Sequence, residues 1–153
     1  MIIEGISVVV TGGEPELGRA SAERFSKAGA RVPIADLSGS AGAQAATQAW
    51  KGQIGQIPYA SSKAGVVGMT MVAARDLAAA QIRVAPIAPG LFDTPLLRRW
   101  PEKVCASLGE SVPHPRRLGV VDEFASLAAH IEEDSTINGG IIRLDGAIRM
   151  ASR

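Results

Sequence analysis

The chain has 153 residues, 46% of them hydrophobic, which suits one domain with a real core. Sixteen basic residues against fifteen acidic leave a net charge of +1, and aromatics make up only 4%, so no nucleic-acid surface is expected. Cys105 is the sole cysteine, which excludes an internal disulfide and points to a reducing compartment. The longest uncharged apolar run, Ala64 to Ala74, is far short of the ~20 residues of a membrane span, so no membrane association is expected.

Met1-Ile2-Ile3-Glu4 lacks a basic segment and reads as the approach to a strand, not a targeting peptide. Ile6 to Val10 is an apolar run that ends at Thr11-Gly12-Gly13, the pattern of a buried parallel strand. A helix is predicted from Pro15 to Ala28, with Leu17, Ser21, Phe25 and Ala28 on one face and Gly29 as its stop. Val32 to Ala35 forms a second strand ending at Asp36; Pro33 cannot donate to a ladder, so this strand is an edge or a damaged one. Ser38 to Ala49 reads as a short polar helix or a linker.

A long helix is predicted from Tyr59 to Ala79, then a strand from Ile82 to Ala88 with Pro86 inside it. Leu97, Trp100, Val104 and Leu108 give Pro95 to Leu108 an amphipathic helical spacing, and Phe124, Leu127, Ala128 and Ile131 do the same further on. Ile141 to Leu144 is the last strand, closed by Asp145-Gly146. Alternating strands and helices mean a single α/β domain over 1–153 with a mostly parallel sheet.

Two constellations carry chemistry. A glycine turn after the first strand and before a helix is the layout of a dinucleotide site, and Asp36 fits the acid that holds the adenosine ribose hydroxyls, favouring NAD. Tyr59 and Lys63 lie one helical turn apart on one face, and a nearby ammonium favours the phenolate, which makes Tyr59 a usable general acid/base. His114 and His130 lack metal-like partners, so no metal site is expected. Cys105, Trp50 and Trp100 read as packing residues, and Arg98-Arg99 and Arg116-Arg117 as solvated charge.

Around these residues lie Gly52-Gln53-Ile54-Gly55-Gln56, Ala64-Gly65-Val66-Val67-Gly68-Met69-Thr70, Ala88-Pro89-Gly90-Leu91-Phe92, Thr94-Pro95, Arg117-Leu118-Gly119 and Ile142-Arg143-Leu144-Asp145-Gly146. Through them nearly the whole chain resembles the short-chain dehydrogenase/reductase family. The resemblance implies a Rossmann-like, doubly wound parallel sheet. It implies oxidation of a small-molecule secondary alcohol, of the 3-hydroxyacyl-CoA or hydroxysteroid class, with NAD as cofactor. Tyr59 would be the acid/base, Lys63 would bind the nicotinamide ribose, Thr11, Gly12 and Gly18 would form the phosphate turn, and Pro89, Gly90 and Thr94 would line the nicotinamide pocket. Pro95 to Leu108 would be the substrate lid. A mitochondrial location, otherwise a cytoplasmic one, and a homo-oligomer or association with full-length relatives follow from the same likeness.

Several positions depart from the family pattern. Glu16 replaces the middle glycine of the phosphate turn. A charge there costs a bound phosphate roughly 3–4 kcal/mol, about a hundredfold or more in affinity. Arg19, one turn on, is expected to offset part of it. Ala46 stands where the family has its catalytic serine, and losing one such donor costs ~100- to 1,000-fold in rate. About three strands with their helices, roughly 60–100 residues, are missing between Ala45 and Gly52. Activity is therefore expected to be impaired or lost; the alternatives are a non-catalytic relative acting by protein association and an unstable fragment.

Overall fold

The computed structural model describes residues 3–11, 15–35 and 57–149. The elements run β1 (Val10–Thr11), α1 (Pro15–Lys27), β2 (Ile34–Ala35), α2 (Ile57–Asp76), β3 (Ile87–Pro89), α3 (Glu102–Glu110), α4 (Val121–Glu133) and β4 (Ile142–Leu144), with 3-10 turns at Ala78–Ala80 and Leu97–Arg99. Among the described residues β1 pairs with β2 and β3 with β4, both in parallel, Val10 opposite Ile34 and Ile87 opposite Ile142. This is the expected α/β class with parallel pairing and fewer strands than a full doubly wound sheet. The Ser38 to Ala49 segment and the position of Ala46 lie outside the described residues.

The first strand is shorter than its apolar run. Ser7 bridges Arg31, and the Val10 N–H donates to the Pro33 carbonyl at 3.2 Å, so the ladder reaches from Ile6 to Thr11. Pro33 has no N–H to return, and the regular pairing breaks there, as its chemistry requires. Period-two alternation sends Ile6, Val8 and Val10 into the core with Ile3, Phe25 and Ala129, and sends Val9 outward, 60% exposed. One face of this pair is covered and the other is open.

That core forms where α1 packs on α4. Leu17, Ser21 and Phe25 of α1 are buried as expected, but Ala28 lies past the end of the helix and is exposed, and Ala22 is buried instead. Gly29 ends the helix with φ +88°, a conformation that favours glycine, and a Cβ there would also press on Glu4. In α4 the buried residues are Ala125, Ala129 and Ile131, so the inward face is rotated from the expected one, and Phe124, Leu127 and Ala128 are half-buried.

The strand expected from Ile82 begins only at Ile87. Val84 is occupied elsewhere: its N–H donates to Asn138 Oδ1 at 2.9 Å and its carbonyl accepts from the Gly139 N–H at 2.8 Å. Beside it the Arg83 guanidinium donates to the carbonyls of Ile131 and Glu132 at 2.8 Å, Asp134 at 3.0 Å and Ile137 at 3.1 Å, and pairs with the Glu132 carboxylate at 2.9 Å. The last carbonyls of a helix have no partner within it, so one side chain here closes the end of α4 and binds it to the approach of β3.

Candidate functional site

β3 delivers the first group of expected site residues. Pro89 is buried at its end, and the Gly90 N–H donates to the Leu144 carbonyl at 2.8 Å, extending the β3–β4 ladder. A Cβ on Gly90 would lie 2.6 Å from Asp145 Cα, so only glycine allows the two backbones to come this close. Asp145 is held by Arg143 and Arg149 and accepts from the Ala147 N–H at 3.1 Å, which keeps the wall opposite Gly90 rigid.

Thr94 follows on the same loop. Its side chain is 5% exposed, and its hydroxyl makes no hydrogen bond among the described residues. The other buried hydroxyls are satisfied locally, Ser21 by the Leu17 carbonyl and Thr70 by the Val66 carbonyl, each at 3.0 Å. An unpaired buried hydroxyl costs about 1–3 kcal/mol, so Thr94 is the position where a ligand would have most to satisfy. The Thr94 carbonyl accepts from the Arg98 N–H at 2.9 Å, which starts the turn at Leu97–Arg99.

Arg98 closes that turn with two bonds to the Asp93 carboxylate, at 2.8 and 3.0 Å. These bonds hold the Asp93 carboxyl below its ordinary range and raise Arg98 above its own. Glu16, in the first turn of α1, adds a smaller attraction on Arg98. Arg19, one turn on from Glu16, pairs with Glu23 at 3.6 Å. The Asp93–Arg98 pair was not read from the sequence; its one signal there is an acid and a base flanking Thr94-Pro95.

The amphipathic helix expected over Pro95 to Leu108 is also corrected. Leu97 is buried, but Trp100 adopts an extended conformation before Pro101 and is 60% exposed, and Val104 is exposed too. Pro101 separates the 3-10 turn from α3, so the four apolar residues lose their common phase. Cys105 donates its thiol to the Leu97 carbonyl at 3.3 Å, fixing the turn to α3 as well as packing there.

Lys63 is half-buried on α2 and has no hydrogen bond or ion pair among the described residues. Tyr59 occupies the first turn of the same helix, which begins two residues earlier than expected. Gly18 is buried in α1. The side chains of Tyr59 and Thr11, together with Gly12 and Asp36, lie outside the described residues. Pro89 and Gly90 lie against β4 and Thr94 is buried on the loop that follows them, while no bond among the described residues ties Lys63 to any of the three. Beyond Gly90 a cleft of about 470 Å³ is lined by Leu91, Phe92, Val112 and Leu144. On its rim Arg117 and Glu123 are bound to each other at 2.6 and 3.0 Å, which leaves that pair no free charge for a ligand.

The family model described as short chain dehydrogenase matches residues 46–104. The human 3-hydroxyacyl-CoA dehydrogenase type-2 is 57% identical over 106 residues, which are 69% of this chain and 41% of that protein. Its counterpart in Drosophila melanogaster is 53% identical over 106 residues, 69% of this chain and 42% of that one. A crystal structure of 3-hydroxyacyl-CoA dehydrogenase type-2 from Mycobacterium avium superposes with a TM-score of 0.65 at 47% identity, covering 70% of this chain and 42% of that one. The chain thus spans about two fifths of the length of the relatives it matches. With a Rossmann-like neighbour and this identity, the chain belongs to the short-chain dehydrogenase family.

Proposed function

We propose that the chain binds NAD and is an oxidoreductase of secondary alcohols of the 3-hydroxyacyl-CoA or hydroxysteroid class, turning over well below the rate of an intact family member. The observation that supports this reading is the Thr94 hydroxyl, buried on the loop that follows Pro89 and Gly90, with no partner among the described residues. Thr94 fits a nicotinamide ring by offering a donor and an acceptor for its amide, while the Cβ side of Gly90 is closed by Asp145. Lys63 would hold the ribose, and Thr11, Gly12, Gly18 and Asp36 would hold the rest of the dinucleotide. The cofactor, when bound, supplies the hydride acceptor. Tyr59 takes the alcohol proton, with the Lys63 ammonium favouring its phenolate. Ala46 offers no hydroxyl to steady the substrate oxygen, and Glu16 opposes the cofactor phosphates. A mitochondrial location belongs to the same reading.

The test is NADH formation from a 3-hydroxyacyl-CoA and from a hydroxysteroid. Tyr59→Phe is expected to abolish it, and Glu16→Gly to lower the KM for NAD by up to about a hundredfold. Turnover that survives Tyr59→Phe would end the proposal.

A second reading is favoured by α2. Ile57, Met69, Met71 and Val72 on this helix are all more than half exposed, an apolar surface of the kind that marks an interaction site. On this reading the chain associates with itself or with full-length relatives through α2. Light scattering should then show an oligomer that Met69→Glu with Val72→Glu disperses; a monomer before substitution would contradict it.

A further inference from the structure

The cleft beyond Gly90 plays no part in the nicotinamide reading, yet its walls are firmly fixed. Phe92 is buried at its floor and meets Phe124 edge-on, with ring centroids 6.0 Å apart and planes at 90°. A Cβ on Gly119 would lie 2.7 Å from the Phe92 ring, so the two loops pack directly on each other. The Gly119 N–H donates to the Leu91 carbonyl at 2.8 Å, and the Asp93 N–H donates to the Gly119 carbonyl at 2.9 Å. On another wall, beside buried Val112, the His114 N–H donates to the Gly146 carbonyl at 3.3 Å. Backbone bonds and ring packing thus frame a cleft of about 470 Å³, within the range of a preformed small-molecule site.

Most polar groups around the cleft are already satisfied. Arg117 and Glu123 bind each other, and Asp145 is held by Arg143 and Arg149. Two lining groups have no partner among the described residues, the Asp122 carboxylate and the Ser126 hydroxyl. They stand one turn apart on α4, so both approach the cleft from one wall. Asp122 is not needed to cap that helix, because the Glu123 carboxylate already accepts from the Val120 N–H at 2.9 Å. An apolar floor with one unpaired carboxylate and a hydroxyl beside it complements an apolar body that ends in a cation. An ammonium has three donors, one for the carboxylate and one for the hydroxyl oxygen. Its carbon body would displace water from Phe92 and Leu144. We propose that this cleft binds a small amphiphilic amine, an aryl or alkyl chain ending in a primary ammonium. The site stands apart from the oxidoreductase reading, since none of Pro89, Gly90, Thr94 or Lys63 lines the cleft.

The test titrates the purified full chain by calorimetry with phenylbutylamine, phenylbutanol and phenylbutyrate, which share a body and differ in charge. The amine is expected to bind saturably and at least about fivefold more tightly than the alcohol, with the acid weakest. Added salt should narrow the gap between amine and alcohol, because it screens an exposed pair. Asp122→Asn should weaken the amine roughly fivefold, to the level of the alcohol. Ser126→Leu should weaken amine and alcohol together by placing carbon in the cleft. Both positions are exposed, so each variant should melt as the wild type does. If a variant does not fold, the wild type's preference for the amine and its loss in salt decide the question. No amine binding, equal binding of amine and alcohol, or amine binding indifferent to Asp122→Asn would overturn the proposal. The last outcome would move the amine to another apolar surface, such as the exposed face of α2.

Discussion

Around β1 and β2 the chain is held by apolar packing of α1 on α4, with the strand pairing reduced to a few bonds around Pro33. Around β3 and β4 it is held by long-range polar contacts: Arg83 closing α4, Val84 clasping Asn138 and Gly139, and Asp145 braced by two arginines opposite Gly90. Packing by area tolerates substitution and loss of neighbouring layers, because it is not directional. Directional contacts keep a loop in one geometry. Pro89, Gly90 and Thr94 lie in the half with the directional contacts, and Glu16 lies in the other.

Substitution at Arg83 should strain this contrast most. Arg83→Ala removes four carbonyl bonds and an ion pair at a mostly buried position, and is expected to cost about 3 kcal/mol. A denaturant midpoint that hardly moves would show that packing alone holds the second half as well. Thr94→Val should act in the opposite direction. It removes an unpaired buried hydroxyl, so stability should rise by about 1 kcal/mol, roughly 2–4 °C in the melting temperature. It should also abolish any response to NADH. A less stable variant would mean that the hydroxyl already has a partner.

The ion pair at the start of α4 gives the smallest effect. The Arg117 guanidinium holds the Glu123 carboxyl at about 2, with help from the Val120 N–H, which donates to it at 2.9 Å. A carboxyl whose folded value lies below its unfolded one stabilises the fold above the unfolded value, and that contribution fades as pH falls toward the folded one. The stability difference between wild type and Glu123→Gln should therefore be present at neutral pH and shrink between about pH 4.5 and pH 2. Both groups are exposed, so its size is at most about 1 kcal/mol. A difference that grows on acidification would contradict the pairing.

How far the sequence disclosed all this depends on the kind of interaction. Helix α1 and its stop at Gly29 were legible because apolar spacing and a terminal glycine are local signals. The shortening of the strand before Ile87 was not, because it depends on Val84 meeting Asn138 and Gly139 across a long loop. Trp100 was misread as packing because helical spacing was carried across Pro101, where the chain is extended. Pro89, Gly90 and Thr94 were found as motif residues. What sets Thr94 apart, a buried hydroxyl with no bond, appears only when its surroundings are known. Arg83 is quoted in no motif as a clamp, since four carbonyl acceptors leave no mark in a sequence.

The central claim is that this chain still binds a nicotinamide dinucleotide through the residues around Thr94. It is tested most directly by the thermal unfolding of the purified wild-type chain with and without saturating NADH. A ligand that binds the native state raises its melting temperature. The account predicts a cooperative melt that moves upward with NADH. A cooperative melt that NADH leaves in place would contradict it.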